Sequence, residues 1–132
     1  MADSNWQSLF TSNATEISVT DQRVTEVIEE FLCKGEEIHF AFRYKRDMVL
    51  FTSHRYIFIN LQNLKGEKIS RFFIPWKHLV CFTTENAGGL IDGDHDINFT
   101  FAHTPTFQIQ IKKSIPLTPI TQFLSEQQFK NL

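Results

Sequence analysis

Two cysteines, four prolines and five glycines are all that this 132-residue chain holds of the residues that staple, break or loosen a fold. Cys33 and Cys81 have 47 residues between them and no Cys-x-x-Cys partner, so they read as free, buried thiols. No apolar run approaches the ~20 residues that a membrane-spanning helix needs. No basic segment leads into an apolar stretch at the N-terminus, as it would in a secretory signal. A cytoplasmic protein is therefore expected. Phosphate loops, Gly-x-Ser-x-Gly elbows and nucleotide fingerprints are missing as well, so neither an enzyme nor a cofactor is expected. Tryptophan and tyrosine are scarce, two of each, against 14 phenylalanines. That excess of Phe among β-branched neighbours suits half-buried sheets better than a helical bundle.

Charge is nearly balanced overall, at −2, but not along the chain. Residues 1–37 carry −6, residues 38–80 carry +6 and residues 81–132 carry −2. The basic middle holds no dense Lys/Arg run, and no nucleic-acid partner is expected. Opposite charge on two parts of one surface instead suits attraction between copies of the chain.

The length fits one domain. Residues 1–14 read as an N-terminal arm in which Trp6, Leu9 and Phe10 form a short amphipathic turn. Residues 15–35 hold a helix: Val24, Val27, Ile28, Phe31 and Leu32 build one apolar stripe. Ser18 to Asp21 offer capping oxygens, and Lys34-Gly35 a basic last turn and a left-handed stop. At about 12 residues this helix is marginal alone and must dock its stripe. From Glu36 the period drops to two, with Ile38, Phe40, Phe42 and Tyr44 on one face of the first strand. Residues 36–113 then read as seven short strands in hairpin succession, a mainly β (α+β) chain with an antiparallel sheet or barrel. A second helix at 116–131 presents Ile120, Phe123 and Leu124, with Leu117 and Phe129 nearby, to plug one barrel end. At this strand count side chains fill the interior, which disfavours a Phe-lined ligand cavity.

The run GEEI, RDMVLFTSHRYIFIN, KGEK, IPWKHL and TENAGGLIDGD, in that order and spacing, resembles the bacterial pleckstrin-homology (PH) domains over roughly residues 15–130. The resemblance implies a seven-stranded PH-like β-barrel with a C-terminal capping helix and an added N-terminal helix. It also implies ring-shaped homo-oligomers, and it carries no catalytic residues to transfer. In eukaryotic PH domains, basic residues around the turn after the first strand grip inositol phosphates by charge-assisted hydrogen bonds. The candidates here are Arg43, Lys45, Arg46 and Arg55, as anion- or lipid-binding residues. The usual Lys/Arg-x-Arg of the second strand reads Ser53-His54-Arg55, so only part of that grip is present, and Asp47 in the turn opposes an anion.

Asp92, Asp94 and Asp96 alternate with Gly93 and His95, which invites a metal reading. A calcium loop needs Gly at position 6 and Glu at position 12. Counted from Asp92 those places hold Ile97 and His103. As a strand approach, Asp92, Asp94, Asp96, Asn98 and Thr100 face solvent while Ile97, Phe99 and Phe101 face the core. His39, His54, His78, His95 and His103 show no ligand spacing, so no metal site is expected. Trp76, after Pro75, is expected in core or rim packing.

The expectation is a non-enzymatic binding or assembly module that forms a cyclic homo-oligomer and scaffolds an unidentified protein or peptide partner. The alternative is an adaptor for an anionic membrane surface or phospholipid.

Overall fold

The computed structural model describes residues 11–61, 68–86 and 94–130, with side chains from residue 14 onward apart from residue 107. The N-terminal aromatic turn, the turn at 63–66 and Asp92 lie outside the described residues. The chain order is β1 (Thr11–Ile17), α1 (Gln22–Ile28), β2 (Ile38–Tyr44), β3 (Asp47–Thr52), β4 (Arg55–Leu61), β5 (Ile69–Pro75), β6 (Leu79–Glu85), β7 (His95–Phe101), β8 (Phe107–Ile111) and α2 (Leu117–Lys130). One curled sheet runs β5-β4-β3-β2-β1-β8-β7-β6, a half-barrel open between β5 and β6. The described residues hold eight strands, one more than the seven expected.

The additional strand takes the end of the expected arm and the start of the expected helix region. β1 pairs antiparallel with β2 and parallel with β8, so the sheet is not wholly antiparallel and β1 is the seam between two meanders. Its sequence is polar, and Ala14 is its fully buried residue, too small to mark a period.

β3 and β4 read as unbroken apolar runs because both faces are covered. On the inner face, Phe42, Phe51, Tyr56, Phe58, Trp76, Phe99 and Phe101 join Ile97, Ile109 and Ile111 in the main core. The rings meet edge to face as their quadrupoles prefer: Phe51 lies 5.4 Å from Phe42, 5.5 Å from Trp76 and 5.9 Å from Phe99. On the outer face, Val24 and Ile28 of α1 cover Ala41, Met48, Leu50, Ile57 and Ile59. Ile38 belongs to this second core and not with Phe40, as a register shift between them turns the two to opposite faces.

Asp21 caps α1, accepting from the Arg23 amide at 2.8 Å. The Arg23 side chain also pairs with it, and these bonds hold the carboxyl down to about 2. α1 ends earlier than expected and tightens into a 3-10 turn, Glu29–Phe31. That tightening carries Phe31 off the stripe, leaving it 42% exposed. Gly35, at φ +81°, serves the turn from Cys33 to Glu36 and not the helix stop. α2 lies against β6 and the 3-10 turn Trp76–His78, and sends Ile120, Phe123 and Leu124 into the main core. Gln127 continues its buried stripe; Phe129, two residues on, faces away and is 72% exposed. Both cysteines are free but exposed, in contrast to the burial expected. Cys33 lies in the turn after α1, and Cys81 on the solvent side of β6.

Candidate functional site

The four basic candidates do not form one cluster. Lys45 and Arg46 make the exposed turn between β2 and β3, Lys45 at φ 53° with its ammonium 5.3 Å from the Tyr44 ring centre. Arg43 precedes them on the α1 side of β2, where its charge helps to lower the Asp21 carboxyl. Arg55 begins β4 at the far end of β3, about 20 Å away by strand rise.

Arg55 is committed to the protein itself. Its Nε donates to Glu36 Oε2 at 2.9 Å, its Nη2 donates to the Phe31 carbonyl at 2.8 Å, and its guanidinium lies 4.5 Å from the Phe73 ring centre. Glu36 also accepts from the Cys33 amide at 2.9 Å and from the Thr52 hydroxyl at 2.6 Å. Burial pushes the Glu36 carboxyl up, but these three donors together bring it below its ordinary value. Trp76 is buried as expected, and its indole donates to the Thr52 carbonyl at 2.6 Å. Arg71 adds a second clamp, donating from Nε to the Val27 carbonyl at 2.7 Å while its guanidinium covers the Phe31 ring at 4.2 Å. Two arginines of the sheet thus hold the end of α1 and the segment after it. The sequence carries no local signal for either clamp, because Arg55 is 19 positions from Glu36 and Arg71 is 44 from Val27.

The turn of Lys45 and Arg46 is less cationic than its two bases suggest. Asp47 opens β3 beside it, accepts from the Asn60 amide, and is pushed above its ordinary value by burial. A raised carboxyl favours folding below the unfolded value of 3.8, and that contribution is lost as pH rises through the folded value. Asp47→Asn is therefore expected to leave stability at pH 3 nearly unchanged. At pH 7 it should raise stability, by less than about 1 kcal/mol, as thermal unfolding at the two pH values would show.

Positive charge gathers elsewhere. Ser53 and His54 of the β3–β4 turn, Pro75, Lys77 and the α2 residue Lys130 line a hollow of about 260 Å³. Sequence reasoning missed it, since three distant segments supply it.

The described part of the aspartate run, Asp94 and Asp96, leads into β7 as a strand reading puts it. Ile97, Phe99 and Phe101 are buried, and the alternate residues form a polar ladder. Gln110 donates to Asp96 at 3.1 Å, Gln108 to Asn98 at 2.9 Å, and Asn98 to Thr83 at 2.9 Å. Among the described residues, no three His, Cys, Asp or Glu side chains gather as a metal would require.

The curled sheet closed by a C-terminal helix is a PH-like fold. Two solved structures share it: a DUF1696 family protein with a pleckstrin-homology domain from Shewanella loihica, and a pleckstrin-homology domain from Shewanella amazonensis. The first has a TM-score of 0.74 at 24% identity, covering 89% of this chain and 98% of that one. The second has a TM-score of 0.62 at 26% identity, covering 85% and 91%. The chain belongs to the bacterial PH domain family, whose model matches residues 8–127. It is 31% identical to the uncharacterized protein YjqA of Bacillus subtilis, over 86% of this chain and 90% of that protein. The uncharacterized protein YozO of the same organism is 26% identical, over 83% and 93%. Among the described residues no helix is long and apolar enough to cross a membrane.

Proposed function

We propose that this PH-like domain is a non-enzymatic binding and assembly module that forms a ring-shaped homo-oligomer and serves as a protein-interaction scaffold. The observation that carries this reading is the open sheet, whose end strands β5 and β6 each pair on one side. Two unlike edges favour a head-to-tail contact, which closes into a ring when its rotation allows. Exposed apolar side chains lie near both: Phe73 and Phe31 by β5, Val80 and Phe129 by β6. A register shift at Val80 blunts the start of β6 against a simple backbone ladder, so side chains lead the contact there. The −6 and +6 parts of the chain supply orientation.

Light scattering across protein concentration, at low and high salt, tests this. The expected mass is a constant multiple of the 15.5 kDa chain. Val80→Lys with Phe129→Lys, both at exposed positions, is expected to return it to the monomer. A strict wild-type monomer would overturn the assembly reading. The exposed pair Lys45 and Arg46 supports a second reading, an adaptor for anionic membrane surfaces. Salt-sensitive vesicle binding lost on charge reversal of those two residues would favour it.

A further inference from the structure

We propose that the hollow between the β3–β4 turn, the 3-10 turn Trp76–His78 and the end of α2 is a binding site for a phosphate-type oxyanion. Five residues line it: Ser53, His54, Pro75, Lys77 and Lys130. Two of these residues carry an ammonium group, one an imidazole and one a hydroxyl, and none is an acid. Among the described residues neither lysine is in an ion pair. Lys130 Nζ donates to neutral oxygens at long range, the Ser53 carbonyl at 3.4 Å and Gln127 Oε1 at 3.5 Å. Ser53 Oγ accepts from the Glu37 amide at 3.0 Å and lies 2.8 Å from His54 Nδ1, so hydroxyl and imidazole are held together at one wall.

The composition of the wall selects the ligand. A planar carboxylate is matched best by the planar fork of a guanidinium. The nearby Arg55 has its fork turned inward on Glu36 and Phe31, and does not line the hollow. What remains are point-like ammonium donors and a hydroxyl from three separate elements. Such a set surrounds a compact, multiply charged tetrahedral group better than it clamps a flat one. The ammonium groups are exposed, so binding is salt-sensitive.

The site does not depend on the assembly reading. It lies at the end of the sheet that holds the β3–β4 turn, a strand length from Lys45 and Arg46. A free phosphoester and a phospholipid headgroup would both present the same group.

The test is an NMR titration of the full chain with inorganic phosphate against chloride at matched ionic strength, following the ring protons of His54. A saturable shift specific to phosphate is expected. Lys77→Ala with Lys130→Ala should weaken it by about tenfold or more. Arg46→Ala, outside the hollow, should leave it unchanged. Both lysines are exposed, and unchanged circular dichroism of the double variant would show that it still folds. Two further arms separate the sources: glycerol phosphate in solution, and phosphatidylcholine vesicles with or without phosphatidic acid. Binding in either arm that is lost in the double variant supports the site and names the source. Equal shifts with phosphate and chloride, or undiminished phosphate binding in the double variant, would overturn the proposal. Neither result depends on the mass seen by light scattering.

Discussion

Replacing Phe51 with alanine is expected to lower the free energy of unfolding by about 4 kcal/mol. The ring is fully buried and is the hub of the aromatic core. Phe42, Trp76 and Phe99 approach it edge-on, Phe123 of α2 stacks at 6.3 Å, and Phe40 and Tyr56 lie at 6.1 and 6.0 Å. Removing it costs both the transfer of a benzyl group from water and the contacts around the space left behind. Close-packed neighbours on three strands and a helix cannot all move in to refill it. Single domains are stable by only ~5–15 kcal/mol, so the variant should unfold at much lower urea with a similar dependence on denaturant. Phe31→Ala is the contrast: the ring is 42% exposed, and its loss should cost about 1 kcal/mol or less. Urea titrations followed by circular dichroism would decide this, and a loss below about 1 kcal/mol at Phe51 would contradict a continuous core.

Glu36→Ala is expected to cost about 3 kcal/mol, near the lower end for breaking a buried ion pair. The carboxylate side chain is fully buried, whereas Arg55 keeps 18% exposure and regains some water when its partner is removed. The Cys33 amide and the Thr52 hydroxyl lose their acceptor in the same change. The wild type also carries a pH signature. Because the folded Glu36 carboxyl lies below its ordinary 4.5, the unfolded chain takes up the proton first. Stability from this group is complete above that value and is lost as pH falls through the folded value. Unfolding measured from pH 7 towards pH 2 should show a decline beginning below about 4.5 that is smaller in Glu36→Ala, where the contribution of the lowered Asp21 carboxyl remains. Parallel curves for the two proteins would mean that Glu36 does not carry the acid sensitivity.

Strands with strong alternation were legible in the sequence. β7 announced its inward Ile97, Phe99 and Phe101. β1 was hidden because an alanine at its buried position gives no amplitude to a periodic pattern. The shift at Ile38 was hidden for another reason: a bulge changes which face a residue takes without changing its spacing. At the candidate sites, residue type was readable but commitment was not. Arg55 looked like a free cation, although it is bonded to Glu36 and to the Phe31 carbonyl. Lys77 and Lys130 carried no signal of their own, although the fold brings them to one hollow. Local patterns record periodicity, and contacts across the sheet leave no such record.

The seam made by β1 also sets the order in which the chain can assemble. β2 to β5 and β6 to β8 are runs of antiparallel pairs between strands that follow one another in sequence. Thr11, in contrast, partners Ile109, so the parallel ladder closes nearly the whole chain at once. The entropy of that closure opposes the ladder until the separate meanders have shortened the effective loop. During synthesis from the N-terminus, β1 is made first among the described strands and its partner β8 last. β1 must therefore wait until β8 has been made before both of its sides are paired.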